Sequence, residues 1–167
     1  MKIRPANSSD LPTLVEIYNF YVLNHIATFD SATVNVQDRQ QWLASFGNAG
    51  LYRIFVAENE HQEILGWASS NKYRDHPAFI KTVEFSIYLS HTQQGKGVGS
   101  ALYENLFAAL KKEDVHVVLA GVAQPNPASL ALHRKFGFRE IGIFSEYALK
   151  NGKYISSMWF EKIITSQ

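Results

Sequence analysis

Between an alternating run, Thr82 to Leu89, and a run of helical period, Val98 to Lys111, stands Gln93-Gln94-Gly95-Lys96-Gly97-Val98-Gly99-Ser100. Its three glycines leave backbone N–H groups bare of Cβ cover just where a helix must begin. A helix N-terminus carries roughly half a positive charge and unpaired donors, so the junction favours an anion such as a pyrophosphate. Lys96 adds a full charge. The chain must fold here as strand, loop and helix, and the loop predicts a phosphate-bearing ligand.

Periodicity places the rest around this unit. Lys2 to Arg4 reads as a strand, and Ser8-Ser9-Asp10 with Pro12 begins a helix carried by Leu11, Leu14, Val15, Ile17, Tyr18 and Tyr21. Thr28 to Asp38 reads as a loop before a second helix anchored by Trp42, Leu43 and Phe46. Arg53 to Glu58 and Ile64 to Ser70 read as a hairpin. In Thr82 to Leu89, alternation sets Val83, Phe85, Ile87 and Leu89 against Glu84, Ser86 and Tyr88. The next helix buries a stripe of Val98, Leu102, Leu106 and Leu110. His116 to Val122 is a strand, and Asn126 caps a helix with Pro127 in its first turn and Gly137 at its end. Arg139 to Tyr147 and Tyr154 to Ile163 flank an Asn151-Gly152 turn. The order predicts one α/β (α+β) domain over residues 1–167, with a mixed sheet.

Composition excludes several functions. The 167 residues are 46% hydrophobic with net charge +1 and dispersed signs, without the clustered Lys/Arg of a nucleic-acid surface. There is no cysteine, so disulfides and thiolate catalysis are absent. No run reaches the roughly 18 apolar residues of a membrane span, and no apolar signal core opens the sequence. A cytoplasmic enzyme or binding domain, without metal, is the expectation.

Three accounts compete for the glycine loop: a turn without ligand, a nucleotide site, or another phosphate site. A P-loop needs Gly, four residues, then Gly-Lys-Ser/Thr, and no such spacing occurs. Gly95-Lys96-Gly97-Val98-Gly99 lacks the third glycine of a dinucleotide fingerprint at its offset. What remains is Gln94-x-x-Gly97-x-Gly99, followed downstream by Asn126, Ser129, His133 and Gly137-Phe138.

These two segments together resemble the GNAT superfamily of acyl-CoA-dependent N-acetyltransferases. Thr82-Val83-Glu84, Gly99-Ser100-Ala101-Leu102-Tyr103, Leu132-His133 and Gly152-Lys153-Tyr154 look like its phosphinothricin acetyltransferase branch. That branch includes methionine sulfone and methionine sulfoximine acetyltransferases. The resemblance runs from Ile3 to about Lys162. It implies a GNAT fold, a mostly antiparallel sheet of about seven strands with about four helices, and acetyl-CoA as co-substrate. By resemblance, Gln94, Gly95, Lys96, Gly97, Val98, Gly99 and Ser100 hold the pyrophosphate. Ile87, Tyr88 and Leu89, on a strand that splays from its neighbour in this fold, bind the pantetheine arm with Asn126 and Ser129. A homodimer is also implied.

Acetyl transfer to an amine needs a base for the ammonium and a group to receive the leaving thiolate. Glu84, a carboxylate in a core strand, is the candidate base or ammonium anchor, since burial raises a carboxyl pKa; a structural ion pair across the sheet is the alternative. His133 stands where relatives carry tyrosine, and it either donates a proton or only positions CoA. Phe29, Tyr73, Arg74 and Tyr154 are candidate acceptor-binding residues, Arg74 by pairing with a carboxylate. Tyr154 and Ser156 depart from the branch's Trp and Asp. The basic stretch Lys72, Arg74, His76 and Lys81 argues for an acceptor with a negative group. The expected acceptor is a small amino-acid analogue, acetylated by direct attack in a ternary complex. The rivals are a polyamine, aminoglycoside or protein N-terminus as acceptor, and a non-catalytic acyl-CoA sensor.

Overall fold

The computed structural model describes residues 1–164. Its seven strands, β1 (Lys2–Pro5), β2 (Arg53–Glu58), β3 (Ile64–Lys72), β4 (Thr82–Leu89), β5 (Val117–Ala123), β6 (Arg139–Lys150) and β7 (Lys153–Ile163), form one sheet in the order β1-β2-β3-β4-β5-β7-β6. Four α-helices accompany it: α1 (Leu11–Asn24), α2 (Val36–Ala44), α3 (Val98–Leu110) and α4 (Pro127–Lys135). Every neighbouring pair is antiparallel except β4 and β5, joined through α3 as a parallel crossover must be. The expected mixed, mostly antiparallel fold is therefore present.

The sheet carries a core on each face. Below it, α3 buries Val98, Leu102, Tyr103, Leu106 and Leu110 against Phe55, Val83, Phe85, Val118 and Phe160. Each such side chain contributes about 1.5–3 kcal/mol by leaving water. Above it, α1 packs Leu14, Ile17 and Tyr21 onto Ile54, Val56 and Trp67. Strand β2 alternates between the two cores, which is why it reads as a continuous apolar run rather than an alternating one.

Several boundaries differ from expectation for local reasons. Asn7, rather than Ser8 or Ser9, accepts the capping N–H, and the turn Ser8–Asp10 precedes α1. Asp10 is buried, and Arg4 grips it with two hydrogen bonds of 2.7 and 2.8 Å. Helix α2 starts two residues before Asp38 because Asn35 caps it, and it ends before Phe46. Strand β6 continues beyond Tyr147 to Lys150 across a bulge between Phe144 and Ala148, where Glu146 takes φ +50°. The Asn151-Gly152 turn has positive φ at both residues, as its sequence requires.

Candidate active site

The site opens where the sheet parts. Strands β4 and β5 are paired only over Thr82↔Val117, Val83↔Val118 and Glu84↔Leu119. Beyond Glu84, β4 stays with β3 and β5 stays with β7. The V between them is the splay that the family resemblance implies, and it holds two adjoining cavities.

The first, about 420 Å³, is a trough over the start of α3. Ile87 and Leu89 of β4, Gln94, Gly95, Gly97, Gly99 and Ser100 of the loop, and Asn126 and Ser129 of α4 all line it. Gly95 and Gly97 have φ of +75° and +82°, a region that favours glycine. Gly97 is the N-cap of α3 and offers no side chain, so the first N–H groups of the helix, up to Ser100, keep no intrahelical partner. A Cβ at Gly99 would stand 3.4 Å from both Ile87 and Leu132, so its absence lets β4, α3 and α4 converge. The donors, dipole and apolar walls suit a pyrophosphate with a pantetheine chain.

Three residues expected in this trough stand elsewhere. Lys96 is exposed outside the lining, Val98 turns its side chain into the core, and Tyr88 faces the second cavity. A cation that local sequence did not suggest, Lys135, lines the trough and donates to Ser100 Oγ at 2.7 Å. Tyr21 closes the trough from α1: its hydroxyl donates to the Leu89 carbonyl at 2.7 Å and accepts from Gln94 at 3.4 Å.

The second cavity, about 210 Å³, lies on the other side of the V. Glu84, Ser86 and Tyr88 line it from β4, Gly121 to Ala123 from β5, and Ser157 and Trp159 from β7. Phe29 and Tyr147 meet edge to face at 5.8 Å along its rim. Burial raises the pKa of Glu84, and no cation offsets it among the described residues. That leaves a carboxyl group that keeps its proton to higher pH than a solvated one.

His133 lies deeper. It is 2% exposed; its Nδ1–H donates to the Ser129 carbonyl at 2.7 Å, and Nε2 accepts from the Tyr103 hydroxyl at 3.0 Å. Burial lowers its pKa, against a smaller upward pull from the Ser129 carbonyl. It is a neutral imidazole with both nitrogens engaged.

The remaining candidates are not brought to the cavities. Arg74 stacks over the rings of Tyr73 and Phe79 at 5.1 and 5.5 Å, outside both linings. Lys72 pairs with Asp75, Lys81 with Asp114, and His76 caps the Ala78 N–H, so the basic stretch is largely consumed locally. Tyr154 is 68% exposed on the outer hairpin. Sequence reasoning missed Tyr147, Ser157 and Trp159, whose places depend on how the last hairpin pairs.

Lys150, at the hairpin's tip, is buried and donates to the carbonyls of His25 (2.6 Å) and Thr28 (2.9 Å). It thereby ties the segment that carries Ala27, Thr28 and Phe29 into the cavity wall. Among the described residues, no group of three or more His, Asp or Glu could hold a metal. No helix among them is long and apolar enough to cross a membrane.

The profile of the acetyltransferase (GNAT) domain matches residues 3–159. A phosphinothricin N-acetyltransferase of Streptomyces coelicolor is 43% identical, over 97% of this chain and 95% of its own length. An L-methionine sulfoximine/L-methionine sulfone acetyltransferase of Pseudomonas aeruginosa is 35% identical, over 92% and 88%. The crystal structure of a GNAT phosphinothricin acetyltransferase from Sinorhizobium meliloti, in complex with acetyl-CoA, superposes with a TM-score of 0.90 at 28% identity, covering 98% of this chain and 88% of that one.

Proposed function

This chain belongs to the GNAT acetyltransferase family and is an acetyl-CoA-dependent N-acetyltransferase; we propose that its acceptor is the α-amine of a small amino-acid analogue of the phosphinothricin, methionine sulfone or methionine sulfoximine type. The observation that carries this is the pair of cavities sharing Ala27, Ile87, Asn126 and Ser129 as a common wall, with Glu84 on the acceptor side. An amine in the smaller cavity faces a thioester delivered along the trough.

In this reading Glu84 takes the ammonium proton, directly or through a water, and frees the lone pair for attack. The free backbone groups of β4 beyond Glu84 hold the pantetheine amides and polarise the thioester carbonyl. The C–N bond forms and the C–S bond breaks; the second proton that the nitrogen loses passes to the departing sulfur, and CoA leaves as the thiol along the trough. His133 stays neutral and fixes Tyr103 and the Ser129 turn of α4, which makes it a positioning residue. The loop Gln94 to Ser100, with Lys135, carries the pyrophosphate.

The volume of about 210 Å³ supports a small acceptor over an aminoglycoside, and Glu84 is the one carboxylate lining it among the described residues, too few for a polyamine. A sensor without catalysis would have no use for a half-buried carboxyl there. Homodimerisation goes with this reading. The edge strand β6 exposes Ile141, Ile143, Phe144 and Leu149, an apolar strip that a second copy would cover. A cytoplasmic location, with its supply of acetyl-CoA, fits as well.

The test is thiol release from acetyl-CoA with phosphinothricin, methionine sulfone, methionine sulfoximine, common amino acids, spermidine and an N-terminal peptide. The amino-acid analogues should turn over fastest; turnover confined to spermidine or the peptide would overturn the acceptor assignment. Sedimentation of the wild type and of Phe144→Glu checks the dimer.

A further inference from the structure

Two buried donors in the wall of the acceptor cavity have no partner: the Ser157 hydroxyl and the Trp159 indole N–H. They stand two residues apart on β7, hence on one face of the strand, and both line the cavity that Glu84 enters from β4. A buried donor left unpaired costs free energy, so two of them on one wall need an explanation. Trp67, whose indole N–H is also unpaired, belongs to the core beneath α1 and lies outside this cavity.

The surroundings hold these donors in place. The Trp159 ring lies against bare backbone at Gly121, where a Cβ would stand 3.0 Å from the indole. Opposite, Ser86 Oγ accepts from Asn71 Nδ2 at 3.1 Å, and Asn71 Oδ1 accepts from Ser69 at 3.1 Å. That polarity leaves the hydrogen of Ser86 free to point elsewhere. Ser157, Trp159 and Ser86 thus offer neutral donors to the cavity, and no Lys or Arg lines it among the described residues.

Neutral donors without a cation suit a strongly accepting oxo oxygen better than a full carboxylate, whose desolvation they would not offset. Methionine sulfone and methionine sulfoximine share one such feature, an uncharged tetrahedral sulfur bearing an oxo oxygen at the end of the side chain, whereas the phosphinate of phosphinothricin is an anion like a carboxylate. We propose that Trp159 and Ser157, with Ser86, form a subsite for the S=O oxygen of the acceptor side chain, so that the enzyme distinguishes oxidised sulfur from a thioether. The inference rests on the acceptor class proposed above. The acceptor's carboxylate is left to the rim, where Phe29 and Tyr147 are open to water.

The experiment compares kcat/KM for methionine sulfone, methionine and the decarboxylated sulfone, methylsulfonylpropylamine, in the wild type, Ser157→Ala and Trp159→Phe. Wild type should prefer the sulfone to methionine by about tenfold or more, because methionine leaves the donors unpaired. Each substitution should reduce that preference several-fold while the Kd for acetyl-CoA, by calorimetry, holds. Ser157→Ala removes an unpaired hydroxyl without opening a large void, so it stays informative if Trp159→Phe does not fold. A wild type without the preference, or a preference that survives both substitutions, overturns the subsite. So does a loss confined to discrimination between the sulfone and its decarboxylated analogue, which would assign the donors to the carboxylate. A wild type that binds acetyl-CoA but acetylates neither methionine nor the sulfone would instead sink the acceptor class itself.

Discussion

The Tyr103 phenol donates to Nε2 of His133 at 3.0 Å where neither residue meets solvent, the two being 0% and 2% exposed. A histidine on this family's helix invites a role as proton donor, yet this one lies between α3 and α4 at the floor of the acceptor cavity, with Phe138 and Phe160 against its ring. Its two nitrogens complete a hydrogen-bond chain from Tyr103 to the Ser129 carbonyl.

That placement has a pH signature. The unfolded chain protonates His133 near its ordinary 6.5, whereas the folded one resists, so stability declines as pH falls below about 6.5 towards the lowered folded pKa and is level above. Urea unfolding of His133→Phe should lose this acid slope. Tyr103→Phe should keep the slope yet cost about 1–3 kcal/mol, because Nε2 loses its donor. A pH dependence of stability that is the same in the wild type and in His133→Phe would contradict the assignment.

Glu84 makes the opposite prediction. Burial raises its pKa, and the base works only when deprotonated, so kcat/KM should climb with pH through that raised value. Glu84→Gln should lower kcat about a hundredfold and abolish the climb. By the same sign, the wild type loses stability as pH rises from the ordinary 4.5 through the folded pKa, and the glutamine variant should not. An unchanged rate profile in Glu84→Gln would remove Glu84 as the base.

At Gly97, φ is +82° and no heavy atom of the protein stands within 4 Å of where a Cβ would go. Gly97→Val should therefore cost about 1–3 kcal/mol through backbone strain. It should also raise the KM for acetyl-CoA by about tenfold or more, since the new side chain intrudes on the approach of the pyrophosphate. A folded variant with a normal acetyl-CoA KM would refute the loop's role.

Lys150→Met removes the cross-tie to the His25 and Thr28 carbonyls. Loss of a buried charged donor should cost about 1.5–3 kcal/mol and loosen the segment bearing Phe29. The acceptor KM should rise several-fold, with the acetyl-CoA KM nearly constant. Steady-state kinetics with each substrate varied in turn separates the two, and an equal rise in both would show a general loss of structure.

What could be read in advance divides along physical lines. Glu84 and its strand, the Gln94-x-x-Gly97-x-Gly99 loop, and Asn126 with His133 each depend on neighbours close in sequence, where period and spacing carry the information. Tyr147 reaches the cavity only through the bulge at Glu146, whose N–H the Ser156 hydroxyl accepts at 2.9 Å. Ser157 and Trp159 are exposed to that cavity by pairing partners on β5 and β6 that only the tertiary fold selects. Arg74 shows the converse. Its charge was legible, but not that two rings beside it would occupy its guanidinium.

The wall common to both cavities restricts how such an enzyme can change its trade. A substitution at Ala27, Ile87, Asn126 or Ser129 is felt by both cavities at once, so selection for a new acceptor there would be taxed by a weaker grip on the acyl donor. Phe29, Tyr147, Trp159 and Ser157 border the acceptor alone. Directed evolution towards other amines should accumulate its early winners on that hairpin and loop, and leave the seam where the strands part untouched.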